Sequence, residues 1–549
     1  MIKYERYIIR KIMADILVAS VGIKSELKKG IFFALGKAYN AFIYGEKKTF
    51  NWIDENDNAI IAMGYFCSLN RDNMDDSLAD ILSSFSESNI PEIKKDYYGQ
   101  FIFFIKKGTQ AFIFSDFLSS RNIFYSIDIK CVSSSFSTIE DLLNVSGNDL
   151  NIDKVFEYVS MRPFYPALLG NETFNKRIKW LMPYEYIKID LETGLLEVKS
   201  IGLSIDNKKT SNIDMLSEKL ILLLKSMIKK KRLIDSRVGI NITGGKDSRL
   251  VGSVALEYNT NGRFRIAVSE GNSDSMKDLM VAKRLAKIER VSLDVYLFKE
   301  GADDEVYFEL TEGLSPIYNK TITPLIMGAS KYDLGLGGVY GSELFEYLPY
   351  MKKEEFYESR IIYSKRVVKA SETFWQELSD KFYEQISLIK QRYNLADYNE
   401  TDYIRIFYLL NTARYSSFIM AAYNKFGYQF EPFGAFPLFE LALQTDPKLI
   451  KNSALQIEAI SKVNRRMAKI ISFKSFKPLV PLSIDSFPNY LMGLIAHCGY
   501  SFGSRIKRHS NTLYKISLPG GFYVSNGWED NLLKRLKHRY GIDVPKTVV

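Results

Sequence analysis

One short segment combines the groups that a phosphate-binding turn requires. It comprises Ile242, Thr243, Gly244, Gly245, Lys246, Asp247 and Ser248. The apolar run before it predicts a buried strand, and apolar residues at helical spacing after it predict a helix. The paired glycines allow backbone angles that other residues avoid, so phosphate oxygens can approach the amides, and the helix N-terminus adds N–H groups. The two hydroxyl side chains are further donors, and the carboxylate can hold a Mg²⁺ that bridges phosphates.

The simpler alternative is a tight strand–helix turn whose glycines serve packing alone. The glycines by themselves would favour that alternative, but an Asp-Ser pair at the start of the helix favours phosphate binding. The segment also differs from a P-loop, which needs Ser or Thr after its Lys and a Gly six residues before it. Those positions are Asp247 and Ile240 here. We therefore expect a phosphate-binding turn of another class.

The elements that must position this turn fall into two patterns along the chain. Residues 1–205 contain short runs of β-branched and aromatic residues, such as 101–105 and 111–114, separated by turn signals. They predict an antiparallel sheet domain. Residues 206–549 begin with alternating helices and strands, which predict a parallel sheet with helices on its faces. From about residue 355 onward the pattern is mainly helical.

Composition and charge exclude several classes of protein. The 549 residues are 46% hydrophobic and 25% charged, which is typical of a folded globular protein. The net charge of +10 is modest, and no basic stripe with interleaved aromatic residues indicates nucleic-acid binding. The three cysteines form no CxxC pair, so they support neither a disulfide framework nor a zinc site. No run approaches the ~20 apolar residues that span a bilayer. Charges also interrupt the first residues, where a signal peptide would be apolar. We expect a cytoplasmic protein without a nucleic-acid or membrane partner.

The segment Thr243-Gly-Gly-Lys-Asp-Ser248 resembles the Ser-Gly-Gly-x-Asp-Ser pyrophosphatase loop of asparagine synthetases and their relatives, the β-lactam synthetases and lasso-peptide cyclases. The resemblance implies that residues 206–549 form an α/β ATP-pyrophosphatase domain, of the adenine nucleotide α-hydrolase type, with a helical C-terminal part. It also implies that ATP adenylates a carboxylate, that the loop grips the departing pyrophosphate, and that an amine then displaces AMP. Ile242 and Val268 would flank the adenine.

Further motifs occur in the order that this family has them. Residues 278–286 look like the family's helix with an Asp and spaced alanines. Gly341-Ser-Glu-Leu-Phe345 resembles the end of its second site loop, and Gly338 stands where a Ser-Gly pair of the family touches ATP. Pro432-Phe433 resembles the start of its Pro-Phe-Leu-Asp segment.

The family's metal-binding and acidic groups are matched only in part. The acid usually found two residues before the small residue of the second loop is replaced by Val339. The metal-binding Asp is replaced by Ser342, which leaves Glu343 as the surviving carboxylate. We expect Asp247 and Glu343 to hold Mg²⁺, because a carboxylate one position along can still reach an octahedral ion.

Two lysines, Lys474 and Lys477, lie roughly where the family places a lysine that stabilises the transition state, and the sequence does not choose between them. The expected catalytic residues are Lys474, Lys477 and Glu343. The expected nucleotide-binding residues are Ile242, Thr243, Gly244, Gly245, Asp247, Ser248, Val268, Gly338 and Gly341.

Residues 1–205 resemble the family's class II glutamine amidotransferase domain, an Ntn-type α+β sandwich of antiparallel sheets. Gly99-Gln-Phe101 matches its Gly-x-Phe strand, and residues 116–121 fall on the spacing of its Asp-x-x-Gly-x-Arg turn. Active glutaminases of this type expose a cysteine as the first mature residue. This chain begins with Met1, and its nearest cysteine is Cys67. We expect no glutamine hydrolysis, so the amine would be ammonia or an amine of the substrate.

The leading hypothesis is therefore an ATP- and Mg²⁺-dependent, amide-forming ligase that acts on a small-molecule or peptide carboxylate. One alternative is a catalytically impaired ATP-binding homologue with a regulatory or scaffold role, because the cysteine and the acids are replaced. A second is a peptide or β-lactam type cyclase. A third, a tRNA-modifying sulfurtransferase, is disfavoured because no cysteine lies between residues 210 and 477. A homodimer is compatible with the sequence, which is silent on assembly.

Overall fold

The structure is a computed structural model of the chain. It describes residues 16–20, 31–35, 39–43, 49–68, 71, 74–161, 169–206, 208–230, 236–259, 261–269, 273–298, 310–312, 314, 322–346, 352–367, 370–393, 395, 398–451, 453–472, 477–479 and 536–541. Lys474 lies outside the described residues, and of Lys477 only the backbone is described.

The N-terminal part contains two six-stranded sheets. The strands are β1 Ile16–Ser20, β2 Ile31–Leu35, β3 Tyr39–Ile43, β4 Thr49–Ile53, β5 Ala59–Ser68, β6 Tyr97–Lys107, β7 Gln110–Ser115, β8 Phe124–Ser126, β9 Cys131–Ser133, β10 Lys179–Trp180, β11 Glu185–Asp190 and β12 Leu196–Ser200. Their orders are β10-β8-β9-β1-β3-β2 and β12-β11-β7-β6-β5-β4. Every described strand pair in both sheets is antiparallel. The predicted antiparallel sheets are therefore confirmed.

The two sheets pack face to face through one apolar cluster. Ile61, Ile102 and Ile113 of the second sheet meet Val18 and Val132 of the first, and all five are buried. Strand side chains alternate between the two faces of a sheet, so each strand supplies every second residue to this core. Within the described residues, four α-helices accompany the sheets: α1 Met74–Ser84, α2 Ile90–Asp96, α3 Phe136–Leu143 and α4 Ile152–Met161.

The second part is built on a five-stranded sheet. Its strands are β13 Val238–Asn241, β14 Arg263–Ser269, β15 Leu293–Phe298, β16 Leu334–Leu336 and β17 Tyr428–Phe430. All four pairings are parallel, in the order β15-β14-β13-β16-β17. The alternation of strands and helices predicted this parallel sheet, and the prediction is confirmed.

The strand order reverses between β13 and β16. From β13 the chain proceeds to β14 and β15 on one side, and then reaches β16 and β17 on the other. Ligands of open α/β sheets bind at the carboxyl ends of the strands, at the point where the order reverses. The loops that follow β13 and β16 therefore meet at the edge where a ligand site is expected.

Helices surround this sheet and dominate the chain after it. They are α5 Ile213–Ile228, α6 Lys246–Tyr258, α7 Ser273–Glu289, α8 Ile322–Met327, α9 Gly341–Phe345, α10 Lys353–Val367, α11 Glu372–Arg392, α12 Glu400–Phe426, α13 Phe436–Gln444, α14 Pro447–Lys451, α15 Ala454–Val463 and α16 Arg465–Ala468. A short antiparallel pair follows, β18 Ile471–Ser472 with β19 Lys477–Pro478. Within the described ranges, no helix combines the length and apolar character needed to cross a membrane.

The two parts of the chain pack against each other at strand β17. The ring of Phe430 lies 5.1 Å from that of Tyr65 on β5 and 6.0 Å from that of Tyr98 on β6, measured between centroids. Phe50 on β4 stacks on Tyr428 at 6.4 Å. One hydrophobic cluster contains buried residues of both parts, so the antiparallel sandwich and the parallel sheet share a core.

Candidate functional site

The turn after β13 has the shape that its sequence predicts. The buried Ile242 continues the strand by donating its backbone N–H to the carbonyl of Arg265 on β14 at 3.0 Å. Gly245 adopts an extended conformation, with φ −72° and ψ 167°, and α6 begins at Lys246. Gly245 provides no side-chain cap for this helix. The first-turn N–H groups, which have no partner within a helix, are therefore left for a ligand or for solvent.

Three hydrogen bonds fix the conformation of the turn. The backbone N–H of Thr243 donates to the Ser248 hydroxyl at 3.1 Å, and that of Gly245 donates to the Thr243 hydroxyl at 3.1 Å. The N–H of Gly244 donates to Oδ1 of Asp278 on α7 at 2.9 Å. A Cβ on Gly244 would lie 2.7 Å from the same oxygen, so a larger residue would displace the Asp278 side chain. These three bonds therefore set the conformation of the turn.

A buried arginine supports the turn from below. Arg249 is fully buried and donates to the carbonyls of Gly244 at 3.1 Å, Ile470 at 2.7 Å and Ile471 at 2.8 Å. Burial lowers the pKa of its guanidinium to about 10, so the group stays charged at neutral pH. The same contacts attach the β18–β19 pair, in which Ser472 pairs with Lys477, to the turn after β13.

The second glycine loop packs directly on the first turn. A Cβ on Gly338 would lie 2.8 Å from the carbonyl carbon of Asp247 and from the backbone nitrogen of Ser248. A Cβ on Gly341 would lie 2.7 Å from Oδ1 of Asp247. Since real Cβ atoms do not approach other atoms this closely, the two loops require glycine at both places. The structure therefore brings together the turn and both of the second-loop glycines predicted for the site.

The Asp247 carboxylate is the centre of this contact. Its Oδ2 accepts from the Ser342 hydroxyl at 2.5 Å, and its Oδ1 accepts from the side-chain amide of Gln456 on α15. Burial raises the pKa of Asp247 to about 6. The hydrogen bonds from Ser342 and Gln456 oppose that rise, while the negative charge of Glu346 adds to it.

A lysine–glutamate ion pair lies beside this carboxylate. Nζ of Lys246 is 3.1 Å from Oε1 of Glu346, and both side chains are largely buried. The Ser342 hydroxyl, four residues before Glu346 on α9, lies 3.3 Å from its other carboxylate oxygen. Ser342 therefore stands between two carboxylates, those of Asp247 and Glu346.

The donor set fits a magnesium ion that is shared with phosphates. Mg²⁺ in nucleotide sites is usually bound by one or two carboxylates, with the remaining positions filled by water and phosphate oxygens. Asp247 and Glu346, joined by the Ser342 hydroxyl, provide two such carboxylates. Within the described part of the chain, no group of three or more His, Cys, Asp and Glu side chains forms an all-protein metal cage.

The other predicted site residues are placed as follows. Val268 is buried near the carboxyl end of β14, the strand that neighbours Ile242. Glu343 is half-buried on α9, and its charge contributes to the raised pKa of Tyr340. The backbone of Lys477 lies in the β18–β19 pair that Arg249 attaches to the turn. The catalytic roles of Glu343, Lys474 and Lys477 stay predictions, as does the binding of Mg²⁺ by Asp247 together with Glu343.

No family model and no curated protein matches the sequence. Among solved structures, the chain is similar to the glutamine PRPP amidotransferase of B. subtilis in complex with ADP and GMP, at 11% identity over 53% of this chain and 62% of that one, with a TM-score of 0.22. It is similar to the NH₃-dependent NAD synthetase of Campylobacter jejuni, at 14% identity over 32% of this chain and 95% of that one, with a TM-score of 0.18.

A third similar structure is the NMN synthetase of Francisella tularensis, at 15% identity over 28% of this chain and 72% of that one, with a TM-score of 0.17. The chain spans less than two thirds of the B. subtilis amidotransferase. TM-scores this low assign neither a family nor an activity, so the site is interpreted on its own geometry.

Sequence reasoning missed three residues of this site, which are Arg249, Glu346 and Gln456. Asp278 was noted as part of a family-like helix, but its bond to Gly244 was not predicted. Glu346 could have been found, because residues four apart lie on the same face of a helix and Ser342 was already assigned to the loop. Gln456 is about two hundred residues from the turn and carries no sequence signal.

A cavity of about 310 Å³ lies elsewhere, between the N-terminal part and α11. Charged groups of both signs line it, including Lys154, Glu172, Lys381 and Glu384. Its described lining includes none of the residues predicted for the nucleotide site. We therefore do not assign the nucleotide to this cavity.

Proposed function

We propose that the protein is an ATP- and Mg²⁺-dependent ligase that adenylates a carboxylate and forms an amide. The observation that carries the proposal is the start of α6. It lies at the reversal of strand order, lacks a side-chain cap, and is flanked by two hydroxyls, one lysine and one half-buried carboxylate. Helix starts of this kind bind phosphate through their N–H groups and their dipole.

The chain's own groups would act mainly on the phosphates. The first-turn amides and the hydroxyls of Thr243 and Ser248 would bind pyrophosphate oxygens, and Lys246 would leave Glu346 to balance their charge. Asp247 and Glu346 are the residues that would hold Mg²⁺, which offsets the negative charge of the leaving group. Fixed donors aimed at developing charge are usually the largest single contribution to catalysis.

Two bonds change partners in this reaction. A carboxylate oxygen of the substrate attacks the α-phosphorus of ATP, and the bond from that phosphorus to the bridging oxygen breaks, releasing pyrophosphate. An amine then attacks the acyl carbon, AMP leaves, and the amine loses a proton. The residues that bind ATP and the carboxylate would act by positioning them, since a well-oriented reactant pair removes much of the entropic barrier.

The amine would be ammonia or part of the substrate. Both cysteines in the described ranges, Cys67 and Cys131, are buried, and burial raises the pKa of Cys131 to about 12. A nucleophilic cysteine requires the opposite, an accessible thiolate. Neither thiol is therefore suited to glutamine hydrolysis.

A pyrophosphate-exchange assay tests the proposal. The protein, ATP and Mg²⁺ are incubated with labelled pyrophosphate and a library of amino-acid, peptide and hydroxy-acid carboxylates. We expect exchange with at least one carboxylate. In the variant Lys246→Met exchange should fall at least about tenfold, because one charge-assisted contact to phosphate is lost. Lys225→Met is the matched control, because Lys225 forms a comparable ion pair with Glu257 at 2.7 Å away from the turn.

The outcomes separate the alternatives. ATP binding that depends on Lys246, without exchange in any mixture, would favour a regulatory ATP-binding protein. That alternative is supported by the occupation of both Asp247 oxygens by protein donors. A product that has lost water without gaining an amine would identify a cyclase. Absence of ATP binding would reject the proposal altogether.

A further inference from the structure

A chain of buried hydrogen bonds connects the antiparallel sandwich to the nucleotide turn. It begins at Gln100 on β6, which is almost fully buried. In the orientation that satisfies both neighbours, the Gln100 amide donates to the carbonyl of Gln429 and accepts from the backbone N–H of Glu431 at 3.2 Å. One side chain of the N-terminal part therefore holds the backbone at the end of β17.

Glu431 continues the chain to the second glycine loop. Its carboxylate is 2% exposed and accepts from the backbone N–H of Val339 at 2.8 Å and from the Gln429 amide at 2.7 Å. Gly337 contacts the same carboxylate so closely that a side chain could not be accommodated there. The path of the loop is thus set by the position of one buried carboxylate.

A buried arginine balances the charge of Glu431 through an intermediate amide. Arg265, fully buried on β14, donates to Oε1 of Gln429 at 2.8 Å and to Oδ1 of Asn241 at 2.5 Å. The NH₂ group of Gln429 in turn donates a hydrogen bond to the Glu431 carboxylate. Buried charges need such compensation, so the network links β13, β14 and β17 and has little freedom to rearrange.

The last step of the path is the contact between the two loops. Val339 lies between two glycines that contact the turn. Gly338, just before it, lies against the peptide that joins Asp247 to Ser248, and Gly341, two residues after it, lies against the Asp247 carboxylate. A shift of the second loop away from β17 would therefore change the surroundings of Asp247 directly.

We propose that Gln100 and Glu431 are positioning residues, through which the N-terminal part holds the second glycine loop against the nucleotide turn. The proposal rests on the proposed function insofar as ATP is the ligand. The N-terminal part would then contribute to nucleotide binding without catalysing a reaction itself.

Hydrogen exchange of the ligand-free protein provides the first test. In Gln100→Met, which keeps the side-chain length but removes the amide, we expect the backbone amides of residues 338–342 to exchange about threefold to tenfold faster. That range corresponds to one lost hydrogen bond. The matched control is Asn58→Leu, because the side-chain amide of Asn58 bonds, among the described residues, to Asp54 and Gly108, both within the N-terminal part.

Nucleotide binding provides the second test. The dissociation constant of Mg·ATP should rise about threefold to tenfold in Gln100→Met and in Glu431→Met, and the double variant should be no worse than Glu431→Met alone. Such non-additivity is expected of residues that act along one path. If Glu431→Met fails to fold, Glu431→Gln retains an acceptor for Val339 and should show an intermediate effect.

The results distinguish this proposal from the proposed function. Faster loop exchange in Gln100→Met, with no ATP binding by the unsubstituted protein, would uphold the positioning role and reject ATP as the ligand. Unchanged loop exchange and unchanged ATP affinity, with a melting temperature lowered as much as in Asn58→Leu, would show that Gln100 only stabilises the interface and would overturn the positioning role.

Discussion

Replacing Asp247 by asparagine removes its buried negative charge. The substitution therefore separates the cost of that charge to folding stability from its proposed use in binding Mg²⁺. The pKa of Asp247 is raised from 3.8 to about 6, mainly by burial. At about 1.4 kcal/mol per pKa unit, the ionised carboxylate destabilises the folded state by up to about 3 kcal/mol. The folded protein binds this proton more tightly than the unfolded chain does. Its free energy of unfolding therefore falls as the pH rises from about 4 to about 6.

Asparagine can replace the hydrogen bonds of the carboxylate. Its carbonyl oxygen can accept from Ser342, and its NH₂ group can donate to Oε1 of Gln456, a buried atom without a partner among the described residues. We therefore expect the free energy of unfolding of Asp247→Asn to exceed that of the wild type by about 1–3 kcal/mol at pH 7.5. At pH 4 the difference should shrink to well below about 1 kcal/mol, because Asp247 is then protonated in the folded protein and about two-fifths protonated in the unfolded chain.

Urea unfolding at pH 4, 6 and 7.5, followed by circular dichroism, measures this difference. Asp333→Asn is a control of opposite sign, because Arg237 holds the pKa of Asp333 below its usual value. That variant should be slightly destabilised at pH 7.5, and the effect should disappear as the pH falls through the lowered pKa. An Asp247→Asn protein less stable than wild type at pH 7.5 would refute the reasoning, since it would mean that the ionised carboxylate is stabilised by its surroundings.

Two other substitutions test the packing of the turn. Gly341→Ala places a methyl carbon 2.7 Å from the Asp247 carboxylate. It should lower the free energy of unfolding by about 1–3 kcal/mol and weaken ATP binding measured by calorimetry. Gly202→Ala, whose nearest neighbour would be 3.8 Å away, should do neither. Arg249→Leu leaves three backbone carbonyls without their donor and should cost about 3 kcal/mol or more in urea unfolding. A loss of less than about 1 kcal/mol would contradict the supporting role of Arg249.

Local patterns predicted the elements of this fold better than their arrangement. The apolar run 238–242 and the helix after it occur within a residue or two of the predicted positions. β16 and β17 were not predicted, because each has three residues and so shows no periodicity. Their places beside β13 and against the sandwich depend on packing between distant parts of the chain, which no local pattern records.

The same distinction explains which site residues could be predicted. Thr243, Gly244 and Ser248 lie close together in the sequence, so their spacing alone indicated a phosphate-binding turn. Gln456 reaches Asp247 from about two hundred residues away and resembles an ordinary polar residue of a helix. Glu346 reaches Lys246 from one hundred residues away, and its spacing from Ser342 is its one sequence signal. Their function comes from the close approach of two glycine loops, and this approach is a property of the folded sheet edge.

The hydrogen bonds of the turn restrict how a triphosphate can bind. The N–H of Gly244 is already bonded to the anionic Asp278, which would repel a phosphate, so this amide should keep its present partner. Phosphate oxygens form charge-assisted hydrogen bonds that are roughly twice as strong as neutral ones. They can therefore replace the hydroxyls of Ser248 and Thr243 as acceptors for the backbone N–H groups of Thr243 and Gly245. Lys246, in contrast, must exchange Glu346 for phosphate, which leaves a largely buried carboxylate beside Asp247. A largely buried carboxylate that loses its lysine partner is costly unless another cation replaces that partner. Under the proposed function the nucleotide would therefore arrive together with Mg²⁺, because the metal would compensate for the lysine that the phosphate takes.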